Sequence, residues 1–149
     1  STAPVKLIAN GTQVITRSTG GEGHRREAQN ELHRLIAHIE KHRIDGVIFL
    51  SGDRHYSELH FEARDGHPPL LEFTSSPLQQ DQKVEPLQNR PNTFRLWGLK
   101  GNSFGLVTVD IPEEGQGVVR LEVRTEINTV PVIENTRCSS AWQLSDLQY

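Results

Sequence analysis

The chain has 149 residues, enough for one domain, yet only 34% of them are hydrophobic, thin for a self-sufficient core. Its net charge of -3 mixes both signs, which argues against a nucleic-acid-binding or membrane-attracted surface, and no apolar run approaches the ~20 residues that span a bilayer. A single cysteine, Cys138, excludes an internal disulfide.

From the N-terminus, Val5 to Ala9 reads as a short strand and Asn10-Gly11-Thr12 as its turn, with Val14-Ile15 a brief apolar continuation. Arg17 to Gly23 is a polar, glycine-rich loop. A helix is predicted from about Glu22, because Ala28, Leu32, Leu35, Ile36 and Ile39 fall at helical spacing on one stripe. His38 and His42 stand one turn apart, a spacing that binds zinc when another ligand converges. There is no His-Glu-x-x-His signature and both lie on the flank of the stripe, so a solvated or half-buried helix face is expected. Lys41, His42 and Arg43 suit the negative end of the helix dipole. The helix leads into Val47 to Leu50, a strand-helix-strand order that predicts a right-handed parallel crossover.

Farther on, Leu59, Phe61 and Ala63 alternate with Glu58, His60, Glu62 and Arg64. This predicts a half-buried strand with His60 among the solvent-facing set. Asp65-Gly66 marks a turn, Leu70 to Phe73 a partner strand, and Thr74-Ser75-Ser76-Pro77 its end. Gln79 to Asn92 is polar, with Pro86 and Pro91, and reads as a lid or linker. Phe94, Leu96 and Trp97 mark a short anchored piece. Phe104 to Asp110 is a predicted strand, Glu113 to Gly117 a turn, and Val118 to Arg124 a strand with Val119, Leu121 and Val123 on one face. The tail from Asn128 to Tyr149 has only Ile133, Trp142, Leu144 and Leu147 as apolar points. The elements together predict an α/β fold leaning to α+β: a mixed sheet flanked by a helix, then antiparallel strands.

The stretch from Asp45 to Tyr56 carries the chemistry. Val47-Ile48-Phe49-Leu50 is an unbroken apolar run, as expected for a strand buried on both faces. It ends at Ser51-Gly52, and Asp53 and His55 follow two residues apart. In an extended segment alternate side chains point the same way. A carboxylate and an imidazole are then presented together at the carboxyl end of a central strand, where open α/β sheets place their ligands. The pair suits a metal such as zinc, iron or manganese. The plain reading is an Asp that caps the turn or orients the histidine.

Gly46 to Leu59 resembles the last metal-binding motif of the calcineurin-like metallophosphoesterases, usually Gly-His-x-His after a buried strand. Leu50-Ser51-Gly52-Asp53-Arg54-His55-Tyr56 is similar to the variant of alkaline phosphatase D (PhoD-like) enzymes, in which Asp replaces the first His. Glu72-Phe73-Thr74-Ser75-Ser76-Pro77 and Asn102-Ser103-Phe104-Gly105 are similar to later segments of that family. The resemblance implies half of a four-layered α/β/β/α sandwich and metal-assisted hydrolysis of phosphate esters. It implies a metal centre, commonly binuclear and built of Fe, Zn, Mn or Ca, with Asp53 and His55 as ligands. Arg54 is a candidate donor to substrate phosphate, although a residue between two that face the metal should point away. Where the general pattern has a metal-binding His after the first strand, this chain offers Asn10, Thr12 and Gln13. Asn10 is therefore a candidate contact to metal or substrate, with turn formation as the alternative.

The chain begins Ser1-Thr2-Ala3-Pro4 and contains no Met. The expectation is a C-terminal portion, 1-149, whose partner is an N-terminal segment of the same enzyme bringing the remaining ligands and sharing the core. The expected substrate is a small phosphate ester, and the resemblance implies a periplasmic or secreted location. Two alternatives stand beside this reading. A serine hydrolase would draw on Ser51 or Ser75 with His55 and Asp53, but no Gly-x-Ser-x-Gly elbow exists. In a non-catalytic binding or structural module, Asp53 and His55 would simply be satisfied polar residues.

Overall fold

The run Val47-Ile48-Phe49 has no polar face, and the fold gives it none to show. It lies in β2 (Val47–Ser51), the second strand of a five-stranded sheet ordered β1-β2-β4-β3-β5. The others are β1 (Lys6–Ala9), β3 (Ser57–Arg64), β4 (His67–Thr74) and β5 (Arg95–Leu99). Strands β1, β2 and β4 run parallel, while β3 is antiparallel to both β4 and β5. This computed structural model describes residues 3–17, 23–79, 95–113, 118–125 and 129–135. The polar segment 80–94, with Pro86, Pro91 and Phe94, lies outside them, as do the turn at 114–117 and the tail beyond 135 with Cys138, Trp142, Leu144 and Leu147.

Side chains of β2 divide between two cores. Val47 and Phe49 pack with Leu32 and Ile39 of helix α2 (Gln29–Lys41) and with Leu70. Ile48 joins Leu59, Phe61, Leu71 and Phe73 against Val119, Leu121 and Val123. Those last three lie on β7 (Val118–Thr125), the middle strand of an antiparallel sheet with β6 (Ser103–Asp110) and β8 (Thr129–Asn135). The predicted mixed α/β architecture is present as three described layers: helix, mixed sheet, antiparallel sheet. Among the described residues no helix is long and apolar enough to cross a membrane.

Two expectations are corrected. The helix predicted from Glu22 is broken. A single turn, α1 (His24–Glu27), ends at Ala28, whose φ of -133° and ψ of 48° leave the helical region before α2 begins. The segment His24-Arg25-Arg26-Glu27 has no apolar residue to extend the buried stripe, and Arg25 is drawn away to Glu62, at 2.6 Å, and to the Ile15 carbonyl, at 3.0 Å.

The second correction concerns β3. His60 is 0% exposed, and Glu58 and Glu62 are buried with it. Cross-strand pairing puts these three on one face with Thr74, Glu72 and Leu70. Segment 13–17 lies over that face as a strap rather than continuing β1. The Glu72 carboxylate accepts the backbone N–H groups of Val14 (2.6 Å) and Ile15 (2.8 Å). Gln13 Nε2 donates to Thr74 Oγ1 at 2.9 Å and to Glu58 Oε2 at 3.3 Å. Alternation shows that a strand has two unlike faces, but not which of them meets water. Glu72→Gln should cost about 2 kcal/mol, because an amide turns one acceptor into a donor facing a buried N–H. A urea midpoint unchanged from wild type, with undiminished exchange protection at Val14 and Ile15, would contradict the strap.

Candidate functional site

Because β1, β2 and β4 are parallel, their carboxyl ends reach one edge of the sheet and bring Asn10, Gly52-Asp53 and Ser75 side by side. Backbone bonds join them: Asn10 N–H to Leu50 O at 2.9 Å, and Ser75 N–H to Ser51 O at 2.9 Å. Gly52 lies between, so that a methyl group there would sit 3.8 Å from Gly11 O and 3.7 Å from Ser75 O. Antiparallel β6 reaches beneath this edge at Gly105, where a methyl group would meet Ser75 Oγ at 2.9 Å and Phe73 Cε1 at 2.6 Å.

Asp53 and His55 do not form the extended pair that alternation suggests. Both are left-handed, with φ of +65° and +55°, so the segment is an irregular turn and the period-two argument does not apply. Left-handed non-glycine residues carry strain, although Asp and His tolerate it better than bulky side chains. The residues around them hold the turn in place. Arg54 is 9% exposed, donates from Nε (3.1 Å) and Nη2 (2.9 Å) to the Tyr56 hydroxyl, and places its guanidinium 5.5 Å from the ring centre. Tyr56 is buried and Ser57 opens β3, so the turn is anchored on its far side as well.

Within this anchored turn Asp53 is exposed and His55 half-buried. Neither makes a hydrogen bond or ion pair with another described residue, and His55 Nδ1 is buried without a partner. Buried polar atoms in folded proteins are almost always paired, so an orphaned imidazole nitrogen two residues along the chain from a carboxylate with no described partner is consistent with a ligand site. The donor set, one oxygen and one nitrogen, fits part of a coordination shell for zinc, iron or manganese. Among the described residues no group of three or more His, Cys, Asp or Glu is placed to hold a metal.

The other candidates fall into place around this pair. Two donors of Arg54 are committed to Tyr56. The Asn10 amide nitrogen donates to Thr12 O at 2.7 Å, which fixes the Asn10-Gly11-Thr12 turn, and lies 3.3 Å from His24 Nδ1. Ser51 Oγ is bonded to Thr74 Oγ1 at 2.9 Å, and no hydrogen bond joins Ser51 or Ser75 to His55 among the described residues. His38 on α2 and His42, which follows its last residue, are exposed, their ring centres 4.5 Å apart.

Sequence reasoning missed His24. A cleft of about 410 Å³ is lined by Thr12, Gly23, His24, Glu27 and Ala28 and adjoins the turn after β1. No local pattern marks His24, which reaches the edge only because α1 begins beside Asn10. No family model matches the chain, no curated protein matches it, and no solved structure matches it.

Proposed function

We propose that this chain is the C-terminal part of a metal-dependent phosphoester hydrolase of the PhoD-like kind, and that it contributes the corner Asp53–His55 to the metal centre. One observation carries the reading: two polar residues are held left-handed, and without side-chain partners among the described residues, at the carboxyl end of a central parallel strand. Strained backbone of this kind clusters at functional sites, and among the described residues neither has a side-chain partner that would account for it. The resemblance of Leu50 to Tyr56 to the PhoD-like motif supports the same assignment. In this reading the three described layers belong to a four-layered sandwich, and a preceding segment adds the fourth layer and the remaining ligands. Export from the cytoplasm belongs to the same proposal.

Asp53 Oδ atoms and a His55 ring nitrogen would hold the ions. Ions bound there would supply Lewis-acid activation of a phosphate ester and of water. The residues of this chain do the rest by position. The Arg54–Tyr56 contact keeps the turn from relaxing, and the Asn10 amide fixes the neighbouring turn through the Thr12 carbonyl. Ser51, Thr74 and Gln13 form a buried hydrogen-bonded row beneath the edge.

The test is hydrolysis of phenyl phosphate and bis(p-nitrophenyl) phosphate by the protein together with its preceding segment, loaded with metal. Asp53→Ala and His55→Ala should each lower kcat/KM by at least about a hundredfold and reduce bound metal, since each deletes a direct ligand. Chelation should do the same to the wild type, and the isolated 149-residue chain should be inactive. Turnover that survives both chelation and either substitution would overturn the assignment.

A further inference from the structure

We infer that His38 and His42 form a two-histidine chelate for a square-planar transition-metal ion, Cu2+ first among them, on the outer face of α2. The site is separate from the Asp53–His55 corner and stands whether or not the chain hydrolyses phosphate esters. The two lie at opposite ends of β2. His42 precedes Val47, where that strand starts, by five residues, and Asp53 follows Ser51, where it ends, by two.

Backbone geometry puts the pair on one face. Residues four apart are neighbours on a helix surface. The helical repeat reaches His42 although α2 ends at Lys41, because the His42 N–H still donates to the His38 carbonyl at 3.2 Å. Both side chains are exposed, and neither is given to a hydrogen bond or ion pair with another described residue. His38 also lines an open surface cleft of about 580 Å³, so its ring is reached from solvent.

The two rings then select the ion. Imidazole nitrogens suit Cu, Ni or Zn and not Mg2+ or Ca2+, which seek oxygen. An ion about 2.0 Å from one nitrogen of each ring lies roughly 3.1 Å from each ring centre. At the ~90° between neighbouring ligands of a square-planar ion the centres stand roughly 4.5 Å apart, against roughly 5.1 Å at the tetrahedral angle that Zn2+ prefers. The observed separation is 4.5 Å. Among the described residues no third His, Cys, Asp or Glu joins the pair, so water completes the shell. Structural zinc sites are instead closed by four protein ligands, and Cu2+ leads the general order of affinity for nitrogen donors.

The charges nearby are mixed in effect. Arg34, Lys41 and Arg43 are exposed cations close in sequence and oppose a positive ion, but in water that repulsion is screened. The last turn of a helix is its negative end and favours a cation. A bound ion would clamp this turn, from which the chain passes to β2.

The test is a titration of the full protein with Cu2+, followed by NMR, in the wild type, His38→Asn, His42→Asn and Asp53→Ala. Both histidines are exposed, so neither substitution disturbs the core. The paramagnetic ion should broaden the His38 and His42 ring signals together and saturably, in the wild type and in Asp53→Ala alike. Replacing either histidine should weaken binding at the remaining ring at least about tenfold, since a chelate cut to one anchor loses the gain of an intramolecular second contact. Zn2+ should displace Cu2+ only in excess. The site is overturned if either ring stays sharp, if one substitution leaves the affinity at the other ring unchanged, or if Asp53→Ala abolishes the effect. Displacement by Zn2+ at equal concentration overturns the choice of ion. None of these readings depends on ester hydrolysis, so the chelate and the hydrolase assignment stand or fall separately.

Discussion

Gly46→Ala should lower the stability of the protein by at least about 3 kcal/mol, seen as a fall in melting temperature on the order of 10 °C. Gly46 has φ of +69°, and a methyl group there would lie 1.9 Å from the Pro4 carbonyl oxygen and 3.0 Å from its carbonyl carbon. These are backbone atoms and cannot rotate aside. The same glycine accepts the Lys6 N–H at 2.8 Å, which starts the parallel pairing of β1 with β2 at Lys6 and Val47. Relief of the clash must therefore part the two strands, and with them the Asn10 and Asp53 turns. Gly66→Ala supplies the control. Its φ of +71° is nearly the same, but nothing lies within 4 Å, so only the left-handed penalty of about 1 kcal/mol should appear. Equal losses in the two variants, by thermal or urea unfolding, would show that the close approach at Pro4 contributes nothing.

Glu58→Ala should cost about 3–5 kcal/mol, because it takes a carboxylate away from the largely buried Arg95 guanidinium and from the buried His60 ring. Glu58 Oε2 meets His60 Nε2 at 2.6 Å, and Oε1 meets Arg95 Nη2 at 2.7 Å, with both Glu58 and His60 inaccessible to solvent. Burial alone would push the Glu58 carboxyl up, but the hydrogen bond and charge of His60, with the charge of Arg95, outweigh it and hold the group below its ordinary value of 4.5. A carboxyl depressed in the folded state stabilises fully above its unfolded pKa, and that stabilisation is lost as pH falls toward the folded value. Stability should accordingly drop with acidification below pH 4.5, and Glu58→Gln should flatten that part of the profile. Urea midpoints measured from neutral pH into this range would decide it. Parallel profiles for the two proteins would rule out Glu58 as the source.

Both predictions concern features that were unequally legible beforehand. The β7 stripe of Val119, Leu121 and Val123 is buried as its period-two pattern foretold, since a strand between two neighbours has one inward face and these residues can occupy no other. The β3–β4 hairpin was equally plain from Asp65-Gly66. His60 was not. Its strand alternates cleanly, but the polar face is covered by the strap 13–17, whose Gln13 lies 45 residues from Glu58 in the chain. Nothing in the local pattern announces that a distant segment will bring its own backbone N–H groups to those carboxylates. Helix α2 was legible from its stripe, whereas the break at Ala28 depends on Arg25 finding Glu62 across the fold.

The candidate site divides in the same way. By itself the sequence determined that β2 is central, that a polar turn with a carboxylate and an imidazole ends it, and that this turn lies at the edge where strands of one direction finish. Hydrophobic periodicity and chain-breaking residues are local properties, so they survive in one dimension. Only the tertiary structure decided that Asp53 and His55 are left-handed, that Arg54 folds onto Tyr56, and that His24 stands beside Asn10. A residue's backbone strain and its neighbours are set by where both ends of its segment are anchored, and those anchors belong to strands and straps far away in the chain.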